Sequence, residues 1–300
     1  MGLFRGYHMV VRRFEVVLPR LPAAFDGLTI AQVSDVHNAL VGGELAGGAR
    51  AVLDAVAAAC PDLVAVTGDL VDKRRPHLRP AVELAAGLAA LAPTYYVSGN
   101  HERMPRSPAG TGGGDLCDDL YERLAPELQA RGVRLMDGGA CLLPAPSGRG
   151  VTGEAASRVA LCGLRDPWPL TRDEPGEWER ASSAVVARAR GLAAVVVTLS
   201  HRPERHALYE RWGSDLTLSG HAHGGQVRLP GVGALVAPNQ GWLPKVDRGL
   251  FELRGGRALR AAGGRAEGPA LVVSAGLGTS VARLRLLCPP ELVMVRLTRG

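Results

Sequence analysis

Cysteine is scarce in this chain of 300 residues and is never arranged in pairs. The five cysteines are odd in number and none follows a Cys-x-x-Cys spacing; they are Cys60, Cys117, Cys141, Cys162 and Cys288. This pattern argues against a disulfide framework and against a zinc ribbon. We expect buried free thiols in a reducing compartment.

Aromatic side chains and lysine are also rare. Phe, Trp and Tyr make up 4% of the residues while apolar residues make up 46%, which predicts a substantial aliphatic core. No stretch interleaves basic and aromatic residues, which argues against binding along a nucleic-acid strand. Lys73 and Lys245 are the only lysines, so the net charge of +6 comes mainly from arginine. That bias reflects either codon composition or a surface suited to phosphate-bearing substrates or anionic lipid.

Long apolar runs are missing as well. No run approaches the 18 consecutive apolar residues that indicate a transmembrane helix. Residues 1–13 contain Arg5, Arg12 and Arg13 but no apolar core of a signal peptide. We therefore expect a cytoplasmic protein without a membrane span.

Strand and helix patterns alternate through the first two thirds of the chain. Apolar, β-branched runs predict strands at residues 10–18, 28–33, 63–67, 94–97, 133–136, 159–162, 194–199 and 215–218. Helical spacing predicts helices at residues 45–59, 80–91, 116–131 and 178–189. This order predicts an α/β fold with a largely parallel central sheet.

The pattern changes after residue 226. Short runs separated by glycine predict antiparallel strands near residues 226–229, 234–236, 249–253, 271–274 and 291–297. A loop rich in Pro, Gly and Ser is expected at residues 103–114. With no linker and no repeat, we predict one domain over residues 1–300, with a lead-in at residues 1–27 and a core at residues 28–300.

Polar side chains gather where the predicted strands end. They are Asp35, His37, Asp69, Asn100, His101, His201, His221 and His223, and they include five of the eight histidines. In open α/β sheets this edge is where ligands bind. Residues at i and i+2 of an extended segment point the same way, so each His-x-His or Asp-x-His pair can present two ligands to one place.

This mixed set of oxygen and nitrogen donors suits divalent ions of the manganese, iron or zinc type. It contains more donors than one ion can use. Two ions about 3.5–4 Å apart need a shared ligand, and Asp69, which follows a central strand, is predicted to bridge them. Each residue alone has a structural explanation, since a Gly-Asp pair is usually a turn, but the ordered set favours a metal site.

The order of these motifs resembles the calcineurin-like metallophosphoesterase superfamily. The motifs are Asp-x-His, Gly-Asp, Gly-Asn-His-Glu, a lone His after a strand and Gly-His-x-His. The stretch SGHAHGGQVRLP at residues 219–230, with GLGTS at 276–280 and PPE at 289–291, resembles its bacterial YkuE/YaeI-type phosphodiesterase branch. The resemblance covers residues 14–297 and implies a four-layer αββα sandwich of two mixed β-sheets flanked by helices.

The resemblance also implies a role for each residue. One metal would be held by Asp35, His37 and His223. The second metal would be held by Asn100, His201 and His221. Asp69 would bridge the metals, which we expect to be Mn²⁺, with Zn²⁺ or Fe as alternatives. A bridging hydroxide would attack phosphorus, and the catalytic residue His101 would protonate the leaving oxygen, an effect typically worth about 10²–10⁴ in rate.

Two departures from the family pattern affect these expectations. The usual aspartate after the catalytic histidine is Glu102 here, which puts the orientation of His101 in doubt. Relatives often carry an N-terminal membrane segment, and we predict none in this chain.

The predicted function is a phosphoesterase acting on a phosphodiester or pyrophosphate, including lipid-linked ones. The alternatives are a phosphomonoesterase and a non-catalytic metal-stabilised scaffold, although a scaffold is expected to have lost ligands. A purple-acid-type phosphatase needs a tyrosine three residues after the bridging aspartate, where this chain has Asp72. The predicted partner is a phosphate-ester substrate, with no nucleic acid and no obligate protein partner.

Residues 276–287 have two interpretations. They alternate apolar side chains with Arg283 and Arg285, which fits a buried edge strand with solvated arginines. They also fit a basic and apolar lip near the metals, suited to a phosphate headgroup with a hydrocarbon tail. The basic N-terminus would then hold the enzyme peripherally on an anionic inner membrane face, each nearby arginine adding about 1 kcal/mol.

Overall fold

The computed structural model of the chain describes residues 6–103, 120–146, 154–167, 176–279 and 284–300. Its strands and helices are β1 (Val10–Val17), β2 (Thr29–Val33), α1 (Gly48–Ala59), β3 (Leu63–Thr67), α2 (Leu78–Leu91), β4 (Thr94–Val97), α3 (Asn100–Arg103), α4 (Leu120–Ala130), β5 (Arg134–Leu135), β6 (Ala140–Leu142), β7 (Val159–Gly163), α5 (Glu177–Leu192), β8 (Val195–Leu199), α6 (His206–Trp212), β9 (Leu216–Ser219), β10 (Arg228–Leu229), β11 (Gly233–Ala234), β12 (Val236–Ala237), β13 (Gly241–Trp242), β14 (Gly249–Arg254), β15 (Arg257–Arg260), β16 (Arg265–Glu267), β17 (Ala270–Val273) and β18 (Glu291–Thr298). Among these described residues, no helix has both the length and the apolar character needed to cross a membrane. The predicted loop at 103–114 lies, after its first residue, outside the described residues.

Two seven-stranded sheets form the centre of the described structure. Their strand orders are β16-β1-β18-β2-β3-β4-β5 and β15-β14-β17-β9-β8-β7-β6. Strands β2 to β5 are parallel, whereas β18 is antiparallel to β2. In the second sheet β7, β8, β9 and β17 are parallel, and β6 and β14 run antiparallel to their neighbours. Both sheets are therefore mixed, as predicted.

The antiparallel pairing predicted after residue 226 is only partly right. Strand β14 is antiparallel to both of its neighbours, β15 and β17. In contrast, β17 runs parallel to β9, and β18 runs parallel to β1. Both are late strands that lie beside earlier ones, and a pairing partner so distant in sequence cannot be inferred from short apolar runs.

The two sheets pack face to face, with helices on their outer faces. Successive side chains of a strand point to opposite faces of the sheet, so alternate residues of β3 pack in two different layers. Leu63 and Ala65 pack in one cluster with Val197 and Leu218 of the second sheet. Val64 and Val66 instead pack with residues of α1, α2 and α4, while α5 covers β7 and β8. The predicted four-layer αββα sandwich is confirmed; the division of the chain at residue 28 stays a prediction.

The fold brings the carboxyl ends of five strands to one place. Strands β2, β3 and β4 belong to the first sheet, and β8 and β9 belong to the second. Hydrogen bonds across the sheets hold these ends together: Gln32 Nε2 donates to the Ser219 carbonyl at 2.8 Å, and His201 Nδ1 contacts the Thr67 carbonyl at 2.7 Å. Every predicted site residue follows one of these five strands.

Candidate metal centre

The first group of converging ligand atoms comes from Asp35, His37, Asp69 and His223. All four residues are buried, and one ligand atom from each lies within 4.8 Å of the others. The Nε2 atoms of His37 and His223 are 3.2 Å apart. Asp69 Oδ2 lies 3.4 Å from the first of these nitrogens, and Asp35 Oδ1 lies 3.4 Å from the second. These are the residues that the family resemblance assigns to the first metal and the bridge.

The second group contains Asp69 again, together with His201 and His221. Asp69 Oδ2 is 3.2 Å from His201 Nε2, and Asn100 Oδ1 is also 3.2 Å from that nitrogen. The same carboxylate oxygen of Asp69 therefore faces a histidine of each group. His101 lies at the edge of the first group, its ring centroid 4.5 Å from that of His37.

Five of these residues have a left-handed backbone. Their φ angles are 49° at Asp35, 44° at His37, 54° at Asp69, 67° at His221 and 51° at His223. Residues other than glycine rarely adopt this backbone conformation, which costs on the order of 1–3 kcal/mol per residue. Residues held in it cluster at functional sites. Each sharp turn lets the chain leave its strand with the side chain directed at the common centre.

Two glycines leave room for the carboxylates. A Cβ atom at Gly99 would lie 2.6 Å from the backbone nitrogen of Asp69. A Cβ atom at Gly220 would overlap Ser34 Oγ and Asp35 Oδ2. Glycine is required at both positions because the backbone of one strand end approaches the ligand loop of another.

Glu102 supports the loop that carries Asp69. Its carboxylate accepts the N–H groups of Asp69 at 3.0 Å, Val71 at 3.1 Å and Gly99 at 2.7 Å, and it is fully buried. Burial, and then the charge of Asp69, raise the pKa of Glu102 to about 7. The longer side chain of Glu102 thus binds the backbone of the loop that carries Asp69 and is not directed at the imidazole of His101.

Asp72 is the carboxylate that contacts the catalytic histidine. Its Oδ1 atom lies 3.4 Å from His101 Nδ1 and accepts the Arg74 N–H at 2.8 Å, while Asn38 Nδ2 donates to its Oδ2 atom at 2.8 Å. Burial lowers the pKa of His101, but the charges of Asp69 and Asp72 outweigh burial and raise it. Asp72 therefore stabilises a protonated imidazole at residue 101.

The protonation states in the centre favour a bound cation. Burial is the largest effect that lowers the pKa of His37, His221 and His223, so these rings are neutral and have a lone pair for a metal. Burial raises the pKa of Asp69, but the neighbouring His201 and His101 outweigh it and lower that pKa well below its usual value.

His201 differs from the other three rings. Burial lowers its pKa, but the charge of Asp69 opposes burial and raises it to about 10. A proton on His201 therefore balances Asp69 when no cation is bound, and a bound cation would replace that proton. Neutral imidazoles and carboxylates converging from two sheets fit divalent cations of the manganese, iron or zinc type.

Comparison with known families identifies the chain. The sequence pattern of the family described as calcineurin-like phosphoesterase matches residues 28–225, a range that contains all eight predicted site residues. The chain belongs to this family. It is therefore a hydrolase of phosphoric ester bonds, and the converging ligands make it a metal-dependent one.

Two curated relatives confirm the predicted YkuE/YaeI branch of this family. The uncharacterized metallophosphoesterase YkuE of Bacillus subtilis (strain 168) is 24% identical over 279 residues, covering 92% of this chain and 81% of the relative. Phosphodiesterase YaeI of Escherichia coli (strain K12) is 28% identical over 238 residues, covering 79% and 70%. Among solved structures, a dimetal phosphatase from Danio rerio has a TM-score of 0.47 at 15% identity and covers 84% of this chain and 88% of that chain.

A chain of contacts behind His221 was not predicted from the sequence. Arg202 is buried and donates to Asp166 through Nε at 2.7 Å and Nη2 at 3.0 Å. Its remaining nitrogen, Nη1, donates to Asn239 Oδ1 at 3.1 Å, and that oxygen lies 2.9 Å from His221 Nε2. Arg202 Nη1 also lies 3.1 Å from His221 Nε2. In the tautomer in which Nε2 donates to the nearer Asn239 Oδ1, the Nδ1 lone pair of His221 is left for a metal.

Neither Arg202 nor Asn239 stands in a local sequence pattern that indicates a contact with a metal ligand. Arg202 follows a histidine in a phosphoesterase motif, and Asn239 lies in the turn between β12 and β13 with a φ of 58°. In metal sites, a partner on the second ring nitrogen fixes the tautomer and the orientation of the ligand. This is the role that the geometry indicates for Asn239.

Replacing Asn239 by alanine is expected to weaken metal binding at the His221 side by about 10–100-fold, because the imidazole loses the acceptor that orients it. Titration of chelator-treated protein with Mn²⁺ by calorimetry measures the change. Asn239→Asp retains an oxygen acceptor and should keep most of the affinity. Wild-type affinity in Asn239→Ala would show that the contact is incidental.

Proposed function

We propose that this chain is a binuclear phosphoesterase that hydrolyses phosphodiester or pyrophosphate bonds. The observation that carries the proposal is the position of Asp69 Oδ2, which lies 3.4 Å from His37 Nε2 and 3.2 Å from His201 Nε2. One oxygen faces a histidine of each ligand group, an arrangement that would let this carboxylate bridge two cations. The donor set favours Mn²⁺, with Zn²⁺ or Fe as alternatives.

The ligands divide into two sets around this bridge. The first metal would be held by Asp35, His37 and His223. The second would be held by Asn100, His201 and His221. When bound, two such cations supply positive charge to the phosphoryl oxygens and a nucleophile from water at neutral pH. The protein contributes a rigid and buried frame, since the backbone turns and Glu102 fix where the ligands point.

His101 is placed to handle the proton of the leaving group. Its backbone N–H donates to Asp69 Oδ1 at 2.9 Å, which ties the histidine to the bridging residue. Its Nδ1 side faces Asp72 at 3.4 Å. Nδ1 also accepts the Lys73 N–H at 3.2 Å, which leaves the opposite ring nitrogen to carry the proton that passes to the oxygen leaving phosphorus.

The choice of a diester rests on a relative, whereas the pyrophosphate rests on two-metal chemistry alone. Phosphodiesterase YaeI aligns with 79% of this chain at 28% identity. A two-metal site accepts monoesters, diesters and pyrophosphates alike, so the bond class has to be tested directly.

Purified without chelator, the protein is expected to contain about two metal ions per chain, because the ligands outnumber what one ion can use. Elemental analysis by plasma mass spectrometry measures this content. Asp69→Asn should lower the content and the turnover together, since it weakens the shared ligand. A wild-type protein that saturates at one ion would contradict the binuclear proposal.

His101→Ala is expected to keep both metals and lose about 10²–10⁴ in kcat for a substrate with a poor leaving group. The loss should be much smaller for a nitrophenyl ester, whose leaving oxygen needs no proton. Metal content and kcat are measured on the same preparations. If the variant loses a metal, His101 is a ligand and the division of roles is wrong.

A substrate panel with added Mn²⁺ tests the bond class. We expect kcat/KM for bis(p-nitrophenyl) phosphate and for a nucleotide pyrophosphate to exceed that for p-nitrophenyl phosphate. The Asp69→Asn variant serves as the control for contaminating phosphatases. A preference for the monoester would replace the present proposal with a phosphomonoesterase.

A further inference from the structure

Exposed large apolar side chains concentrate in one part of the described structure. Of twelve such side chains, eight belong to two short segments, and they are Leu229, Val232, Val236, Trp242, Leu243, Leu284, Leu286 and Leu287. Trp242 is the most exposed at 78%, followed by Leu243 at 59% and Leu287 at 57%. Scattered exposed leucines need no explanation, but a contiguous apolar patch on a protein surface usually marks an interaction site.

Backbone hydrogen bonds join the two segments into one surface. The Arg228 N–H donates to the Leu286 carbonyl at 3.0 Å, and the Leu286 N–H donates to the Gln226 carbonyl at 2.8 Å. The Leu243 N–H donates to the Leu235 carbonyl at 2.8 Å, which ties the β12–β13 hairpin to the β10–β11 hairpin. We call residues 226–243 together with 284–287 the apolar platform.

The described part of the C-terminal segment contradicts both a buried strand with solvated arginines and a lip on which Arg285 is exposed. Arg285 is buried and donates to the carbonyls of Ala275, Gly276 and Cys288. Its neighbours Leu284 and Leu286 are 44% and 45% exposed. A guanidinium can satisfy several carbonyls at once, so the arginine points inward and fixes the loop, and the leucines point outward.

Two leucines of the platform are held in costly conformations. Leu243 and Leu287 both have a φ of 53°. A left-handed conformation is a genuine outlier for a bulky side chain and costs on the order of 1–3 kcal/mol. The same fold thus fixes two exposed apolar side chains at the expense of stability, which favours a functional reason for their exposure.

The charge pattern of the platform indicates what kind of surface it binds. Residues 226–245 and 284–290 contain no Asp or Glu, although the chain has 29 acidic residues. Lys245 is exposed directly after the platform. Asp247 is nearby, but it is buried and paired with Arg228 and Arg260. Together with Lys245, these two segments present apolar side chains, a Trp and one exposed cation but no carboxylate, a combination that complements the interface of an anionic bilayer.

Two polar side chains of the platform, Asn239 and Arg228, contact the loops of the metal centre. Asn239, in the β12–β13 turn, has its Oδ1 atom 2.9 Å from His221 Nε2. Arg228 Nη1 donates to the Gly224 carbonyl at 2.8 Å, next to His223. Val227 is four positions after His223, and a chain of that length spans at most about 14 Å even when fully extended. A lipid headgroup at the platform would therefore lie close to the ligand loop.

We propose that the apolar platform docks the protein on the surface of a bilayer that contains anionic lipid. Trp242, Leu243 and the exposed leucines of 284–287 enter the headgroup region, and Lys245 adds attraction to negative charge. Docking places the metal centre beside lipid headgroups, which favours amphiphilic phosphoesters. This last consequence rests on the proposed function, whereas the docking itself does not.

Cosedimentation with vesicles tests the docking. The wild-type chain is compared with the double variant Trp242→Ser/Leu243→Ser on vesicles of phosphatidylcholine with and without phosphatidylglycerol. The matched control is Leu91→Ser/Leu192→Ser, which changes two exposed leucines outside the platform, at 44% and 37% exposure. We expect the platform variant to bind anionic vesicles about tenfold more weakly or worse, because two large side chains no longer leave water. The control variant should bind like the wild type.

Two further measurements, vesicle binding at raised salt and turnover of a soluble ester, separate apolar from electrostatic binding and docking from catalysis. Raising the salt concentration should weaken binding only in part, since screening removes the electrostatic share and leaves the apolar share. Turnover of bis(p-nitrophenyl) phosphate without vesicles should be equal in all three proteins. If no ester is cleaved but the vesicle results hold, the proposed function fails and the docking surface stands.

Equal vesicle binding by the wild type and the platform variant would overturn the proposal. So would sedimentation equilibrium showing that the wild type is a dimer and the platform variant a monomer, because the patch would then bind a second copy of the chain. Thermal unfolding followed by circular dichroism checks that both variants fold; equal unfolding midpoints assign any loss of binding to the surface.

Discussion

A single carboxylate oxygen, Oδ2 of Asp69, connects the two ligand groups of this structure. Its distances to His37 and His201 join ligands that come from opposite sheets. The surrounding features keep this oxygen in place: Glu102 binds the N–H of Asp69, Gly99 leaves room beside it, and the backbone at residue 69 is left-handed. Local strain is tolerated there because buried strands on both sides determine the position of the loop.

Much of this arrangement could be predicted from the sequence. Buried parallel strands are short, uninterrupted runs of apolar residues. Such runs, each ending in polar residues, therefore locate β2, β3, β4, β8 and β9 and the ligands that follow them. Helices α1, α2 and α5 follow from helical periodicity. The predicted boundaries differ from the observed ones by up to three residues, since the ends of helices and strands depend on caps and tertiary contacts.

Other parts depend on contacts that periodicity does not encode. Short strands such as β6, β15 and β16 carry too few residues for a period to appear. Asn239 reaches His221 only because the β12–β13 turn folds back over the ligand loop, and Glu102 binds backbone groups that lie more than thirty residues earlier, at Asp69 and Val71. The inward position of Arg285 depends on carbonyls of its own loop, which no side-chain pattern records.

The position of β18 has a consequence for how the chain reaches this structure. Residues 291–298 lie between β1 and β2, so the first sheet stays divided until that segment has been synthesised. Strand β2, which leads into the ligands Asp35 and His37, therefore has β3 on one side but no partner on its other edge until residues 291–298 are synthesised. Contacts of such long sequence separation form slowly, and the unpaired edges of β1 and β2 are exposed meanwhile. During synthesis, these open edges can therefore pair with other chains.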